Sequence, residues 1–122
     1  MSSMFLSASA FNRDIGGWNV SAVKNMSGMF NRADLFDQDI SDWEVINVTD
    51  MTYMFFNADA FNQDIGSWKV GSVISMKQMF KDADAFNQDL SEWDTTNVND
   101  CSDFKENAVL IDDYLPTRGC FE

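Results

Sequence analysis

The sequence predicts an α/β repeat solenoid: a leucine-rich-repeat-like right-handed coil with one short parallel strand and one short helix in each 25-residue repeat. Three observations lead there. The run MSGMF at Met26 to Phe30 returns as MTYMF from Met51, MKQMF from Met76 and, degraded, CSDFK from Cys101, a fixed period of the kind that marks stacked repeats. Within a copy, Met26, Met29, Phe30 and Ala33 stand at i, i+3, i+4 and i+7, the spacing of one apolar helical face. Finally, Ile15-x-x-Trp18-x-Val20 has the spacing of a leucine-rich-repeat strand, with Trp18 and Val20 inward and Asn19 outward.

The same step carries Trp18 to Trp43, Trp68 and Trp93, and Phe11 to Phe36, Phe61 and Phe86. Residues 1–103 therefore read as a four-repeat array that starts in the middle of a repeat. Residues 104–122 read as a degenerate fifth copy acting as a C-terminal cap, in which Ile111 replaces the Phe, Leu115 the Ile, and Arg118 the Trp. One copy alone cannot bury enough apolar surface to offset its ordering entropy, so neighbouring copies must cover one another. The N-terminal coil has no polar cap ahead of it, and adjacent repeats or another subunit are expected to cover it.

Taking the elements in order, the predicted helix follows Asn25, Asp50, Ser75 or Asp100, whose side-chain oxygens suit an N-cap. The runs FNRD, FDQD, FNQD and FNQD supply a polar turn stacked coil over coil. The strand follows, and Val23, Val48, Val73 and Val98 tie the next turn to the core.

Composition limits the function. With 122 residues, 45% hydrophobic and 14% aromatic, the chain should bury a real core. Eight basic against twenty acidic residues leave a net charge of −12, which disfavours nucleic acid and anionic lipid and favours a basic protein partner. There is no histidine, which removes Ser-His-Asp and Cys-His catalysis and imidazole metal ligation. No nucleophile stands with a base in a recognisable motif, so the chain is not expected to be an enzyme. Apolar runs are too short for direct membrane insertion, and the first residues lack a signal-peptide layout.

The pattern F-N-Q-D-I-x-x-W-x-V-x-x-V-x-x-M-x-x-M-F-x-x-A resembles the repeat of BspA-like leucine-rich-repeat surface proteins over about residues 1–111. That resemblance implies an exposed adhesive or scaffolding array with no established catalytic activity, at the cell surface or outside the cell. The short length and uncapped first coil also fit a structural accessory subunit embedded in a large intracellular or organellar assembly.

Two features are candidate sites. Columns that vary between copies mark the face free of packing constraint, and Asn19, Asp42, Glu44, Ile46, Lys69, Glu92 and Asp94 are the expected partner-binding residues, the null being an ordinary solvated surface. The column Asp14, Asp39, Asp64 and Asp89 could hold calcium between coils, but a turn aspartate accepting backbone amides is the stronger reading, and no cofactor is required. The tryptophan, methionine and phenylalanine columns read as core. Cys101 and Cys120 fit a disulfide or two buried thiols equally. Asn19, Asn25 and Asn47 open short N-glycosylation matches that carry little weight, Asn25 being better used as a cap.

Overall fold

A computed structural model describes all 122 residues. The period survives as five stacked layers opening at Met1, Met26, Met51, Met76 and Cys101, but the predicted α/β architecture does not. The chain has no α-helix and no β-strand. Regular structure is confined to two short 3-10 turns in the last layer, Asp112–Tyr114 and Gly119–Phe121, and to the parallel bridges Asn25 to Asp50, Asp50 to Ser75 and Ser75 to Asp100.

The backbone hydrogen bonds of residues 26–33 show why no helix forms. The amides of Met26, Gly28, Phe30 and Arg32 donate to the carbonyls of Asp50, Thr52, Met54 and Phe56 in the following layer at 2.8–2.9 Å. Those of Met29, Asn31 and Ala33 close turns on Met26, Gly28 and Phe30. The Ser27 amide goes to Asn25 Oδ1 at 2.8 Å, so every amide of this ridge has a partner. The ridge is a chain of turns with left-handed residues every fourth position. Ser3, Gly28, Tyr53, Gln78 and Asp103 form one such column and Ser7, Arg32, Asn57, Asp82 and Asn107 the other, with φ between 51° and 63°. A right-handed helix needs negative φ throughout, so two such residues per ridge exclude it. A four-residue repeat of turns still places Met26, Met29, Phe30 and Ala33 on one side, the spacing that predicted the helix. The expected caps keep their local bond: Asp50 Oδ1 takes the Thr52 amide at 2.9 Å and Asp100 Oδ1 the Ser102 amide at 3.1 Å. They open a turn ridge in place of a helix.

The predicted strand is replaced too. The Trp18 amide turns back to the Ile15 carbonyl and the Val23 amide to Val20, and the same turns recur at Trp43, Trp68 and Trp93. No backbone ladder links residues 15–20, 40–45 and 65–70 to one another; backbone bonds between layers resume only past the valines, where the amides of Thr49, Ile74 and Asn99 donate to the carbonyls of Lys24, Thr49 and Ile74. Side chains connect the layers instead: the indole N–H of Trp43, Trp68 and Trp93 donates to the carbonyls of Ile15, Ile40 and Ile65 one layer back at 3.0, 3.1 and 3.0 Å. The polar turn forms a second side-chain row. Asn12, Asp37 and Asn62 each accept the amide of the residue 25 positions on at 2.9 Å, and Asn87 Oδ1 accepts the Ile111 amide at 3.2 Å.

The core runs the length of the stack as one cluster of 30 buried residues. Phe30, Phe55 and Phe80 stack at 5.5 and 5.4 Å, Phe36, Phe61 and Phe86 at 5.9 and 5.8 Å, and Trp43, Trp68 and Trp93 at 6.4 Å, all nearly parallel. Identical rings repeat because identical backbone layers offer identical cavities.

The end layers depart from this pattern. Trp18, expected to face inward, is 42% exposed, whereas Trp43, Trp68 and Trp93 are buried. In the last layer the asparagine row arrives at Ile111 after 24 residues, a slip of one. Leu110 is accordingly buried and Ile111 exposed, so Leu110 and not Ile111 replaces the phenylalanine. Gly119 closes the layer. Its φ is 62°, and a Cβ there would lie 2.1 Å from the Thr95 carbonyl oxygen, so only glycine fits.

Candidate protein-interaction face

The face beside the tryptophan column follows from the turns that build it. Val20, Val45 and Val70 point into the core, so the residues on either side of each are turned outward. Asn19, Asp42, Glu44, Ile46, Lys69, Glu92 and Asp94 all lie exposed.

The structure brings only some of them together. Glu44, Ile46 and Lys69 line one hollow with Trp43, Val45 and Ser67. Asn19, Asp42 and Glu44 line an adjoining hollow with Trp18, Val20 and Ser21. Glu44 belongs to both and joins them into one acidic groove across the first three layers, while Ile46, 54% exposed, supplies an apolar spot. Glu92 and Asp94 line neither hollow. Trp43, Val45 and Ser67 were not among the expected residues; the tryptophan and valine read as core, and nothing in the pattern shows that their edges border a depression.

Parts of this face are held rigid. Asn19 Oδ1 accepts both the amide and the hydroxyl of Ser21, at 3.1 and 2.7 Å. Asp94 does the same with Thr96, at 3.2 and 2.6 Å. The Thr96 hydroxyl, and after it the Thr96 amide, hold the Asp94 carboxyl below its usual range. Asp42, Glu44 and Lys69 make no side-chain hydrogen bond or ion pair within the chain, so their charges are available to a partner.

The aspartate column is engaged locally. Asp14, Asp39, Asp64 and Asp89 each accept the amide two residues on at 2.9 Å. The Ser41 and Ser91 hydroxyls, then their amides, hold the pKa of the Asp39 and Asp89 carboxyls below the ordinary range. Nowhere do three or more acidic or cysteine side chains come together so as to hold a metal ion. Cys101 and Cys120 are joined by a disulfide, with Cα atoms 6.1 Å apart. It closes the last layer on itself, although Cys120, placed inward by the repeat register, is exposed.

No helix is long and apolar enough to cross a membrane. No curated protein and no solved structure matches the chain. The profile of one family does match, over residues 1–115, which is nearly the whole stack. The chain thus belongs to the family described as Mycoplasma protein of unknown function, DUF285.

Proposed function

We propose that this chain is a non-enzymatic interaction or adhesion module of a surface-exposed, BspA-like repeat protein, and that it binds a protein partner through the groove around Glu44. The observation that carries the reading is the groove itself: Asp42 and Glu44 carboxylates without an ion-pair partner, beside an exposed Ile46. Such a surface fits a partner that presents a basic side chain next to an apolar one. The resemblance of the repeat to BspA-like surface proteins supports a location at the cell surface. A photo-crosslinking residue at position 46 tests the reading. It should give one protein adduct that disappears in an Asp42→Lys, Glu44→Lys background. The same adduct from position 35, where Leu35 is equally exposed but lies outside the groove, would contradict it.

A second reading is a structural subunit held permanently in a larger assembly. The exposed Ile74 and Val109, both away from the groove, favour it. It predicts that the chain co-purifies from its source with one partner at fixed stoichiometry, and a chain that purifies alone contradicts it.

A further inference from the structure

The ridge of turns has an outer side as well as a core side. Met51, Met54, Phe55 and Ala58 are fully buried, so Thr52, Tyr53, Phe56 and Asn57 between them are turned away from the core. Tyr53 and Phe56 are half-buried, and their rings meet edge to face at 6.0 Å. No other layer places an aromatic side chain in either column, which otherwise hold Ser3, Gly28, Gln78 and Asp103, and Leu6, Asn31, Lys81 and Glu106. Tyrosine also runs against the backbone here. Its φ is 57°, a left-handed conformation that is uncommon for a bulky side chain and suits the glycine found one layer earlier. Phe56 is the one ring it meets, so core packing does not explain the residue. An aromatic kept on the outer side in a disfavoured conformation points to a contact outside the chain.

Basic residues flank this aromatic pair. Arg32 lies one layer before it and Lys77 one layer after. Neither side chain makes a hydrogen bond or ion pair within the chain, whereas Lys81 and Lys105 are taken up by Glu106 at 2.6 Å and Asp112 at 2.7 Å. Asp82 is the one acidic residue on the outer side of these three ridges, and its Oδ1 accepts from the Asn107 amide group at 3.0 Å. The groove around Glu44 has the opposite chemistry, with Asp42 and Glu44 beside the exposed Ile46. The two surfaces lie on opposite sides of the core, because the Phe30 ring of the ridge meets the ring of Trp43, which lines the groove, at 6.2 Å.

We propose, resting on the groove around Glu44 being a protein-binding site, that its occupant is the ridge of a second copy of this chain. Arg32 and Lys77 of one copy then face Asp42 and Glu44 of the next, and Tyr53 and Phe56 cover Ile46 and the edges of Trp43 and Val45. The ridge meets the groove's requirement for a basic side chain next to an apolar one. The net charge of −12 opposes association at long range, where physiological salt screens it beyond about 8 Å. Because the two faces differ and look in opposite directions, each copy can take one neighbour on either side, and the contact does not close on itself as a twofold dimer does.

Sedimentation equilibrium of the purified chain in physiological salt, from micromolar to millimolar concentration, tests this. The average mass should climb from 13.9 kDa through and beyond two chains. Two double variants probe the pairing of faces, with circular dichroism confirming that each is folded. Arg32→Glu with Lys77→Glu makes the ridge acidic, and Asp42→Lys with Glu44→Lys makes the groove basic. Each alone should weaken association about tenfold or more, and mixing the two should restore it. Tyr53→Gly, which suits the left-handed φ, should stay folded and also associate about tenfold less. A photo-crosslinker at position 46 of the purified chain should join two copies at residues 52–57. A mass fixed at 13.9 kDa, a plateau at two chains, a mixture that stays dissociated, or crosslinks between copies that miss the ridge would overturn the proposal. If the mass stays at one chain while position 46 captures a different protein, self-association fails and the groove remains a binding site with another occupant. If position 46 captures nothing, both fall.

Discussion

Removing one ring from the middle of the phenylalanine stack should cost far more than removing its counterpart at the end. Phe55 is fully buried and lies 5.5 Å from Phe30, 5.4 Å from Phe80 and 4.2 Å from Phe61. Phe55→Ala leaves a cavity closed by layers on both sides, so the full penalty of about 3–5 kcal/mol applies. Phe5 occupies the same column and meets Phe11 at 4.0 Å and Phe30 at 5.6 Å. It is only partly buried, so Phe5→Ala should cost about half as much or less, scaled by the area it hides. Urea unfolding followed by circular dichroism gives both values from the midpoint and slope. Because an array can lose its end layer first, Trp18 and the inner tryptophans should be followed separately. Equal losses at Phe5 and Phe55, or a larger loss at Phe5, would refute the stacking on which the argument rests.

Four further outcomes follow from other parts of the structure. Arg32 holds φ at 59°, so Arg32→Gly should stabilise the chain by about 0.5–1 kcal/mol and Arg32→Val should destabilise it by about 1–2 kcal/mol; thermal midpoints moving in the same direction would contradict the left-handed assignment. Reducing the Cys101–Cys120 disulfide, which joins residues 19 apart, should remove about 3 kcal/mol, measured as a shift in urea midpoint with and without reductant. Asp59 is pushed above the ordinary carboxyl value by desolvation, then by Asp84, Asp34 and Asp82. Its charge therefore opposes folding at neutral pH, and Asp59→Asn should raise the thermal midpoint by an amount that shrinks with added salt. In contrast, Asp39, Asp89, Asp94 and Asp100 are lowered by the hydroxyls, then the amides, of Ser41, Ser91, Thr96 and Ser102. Their contribution is complete above the unfolded carboxyl value near 3.9 and is lost as pH falls through the lower folded values, so Thr96→Ala with Ser102→Ala, which removes the hydroxyls bonded to Asp94 and Asp100, should reduce the loss of stability below about pH 4.

The repeat was legible because stacked cavities demand the same side chain every 25 residues. The side-chain bonds of Asn25, Asp50 and Asp100 to the amides two residues on also followed from residue type. The kind of element did not. A spacing of three and four is shared by a helix and by a ridge of turns with a left-handed residue at every fourth position. Only Gly28, one of the ten ridge residues at positive φ, announces that conformation. Trp18-x-Val20 alternates as a strand does, but the indole bonds to Ile15, Ile40 and Ile65 supply the inter-layer connection that a strand ladder would have made. The one-residue slip at Leu110 and Ile111 is invisible because both are aliphatic. As for the candidate face, side-chain variation locates its exposed columns, whereas the hollow under Glu44 depends on the edges of Trp43 and Val45, which the sequence marks only as core.

The central claim is that alternate ridge amides reach the carbonyls of the next layer and not those four residues back in their own. Scalar couplings across hydrogen bonds, measured by NMR on labelled protein, read this directly. The account predicts couplings from the Phe30 amide to the Met54 carbonyl, from Phe55 to Met79 and from Phe80 to Phe104. Couplings from Phe30 to Met26 and from Phe55 to Met51, the pattern of an α-helix, would contradict it.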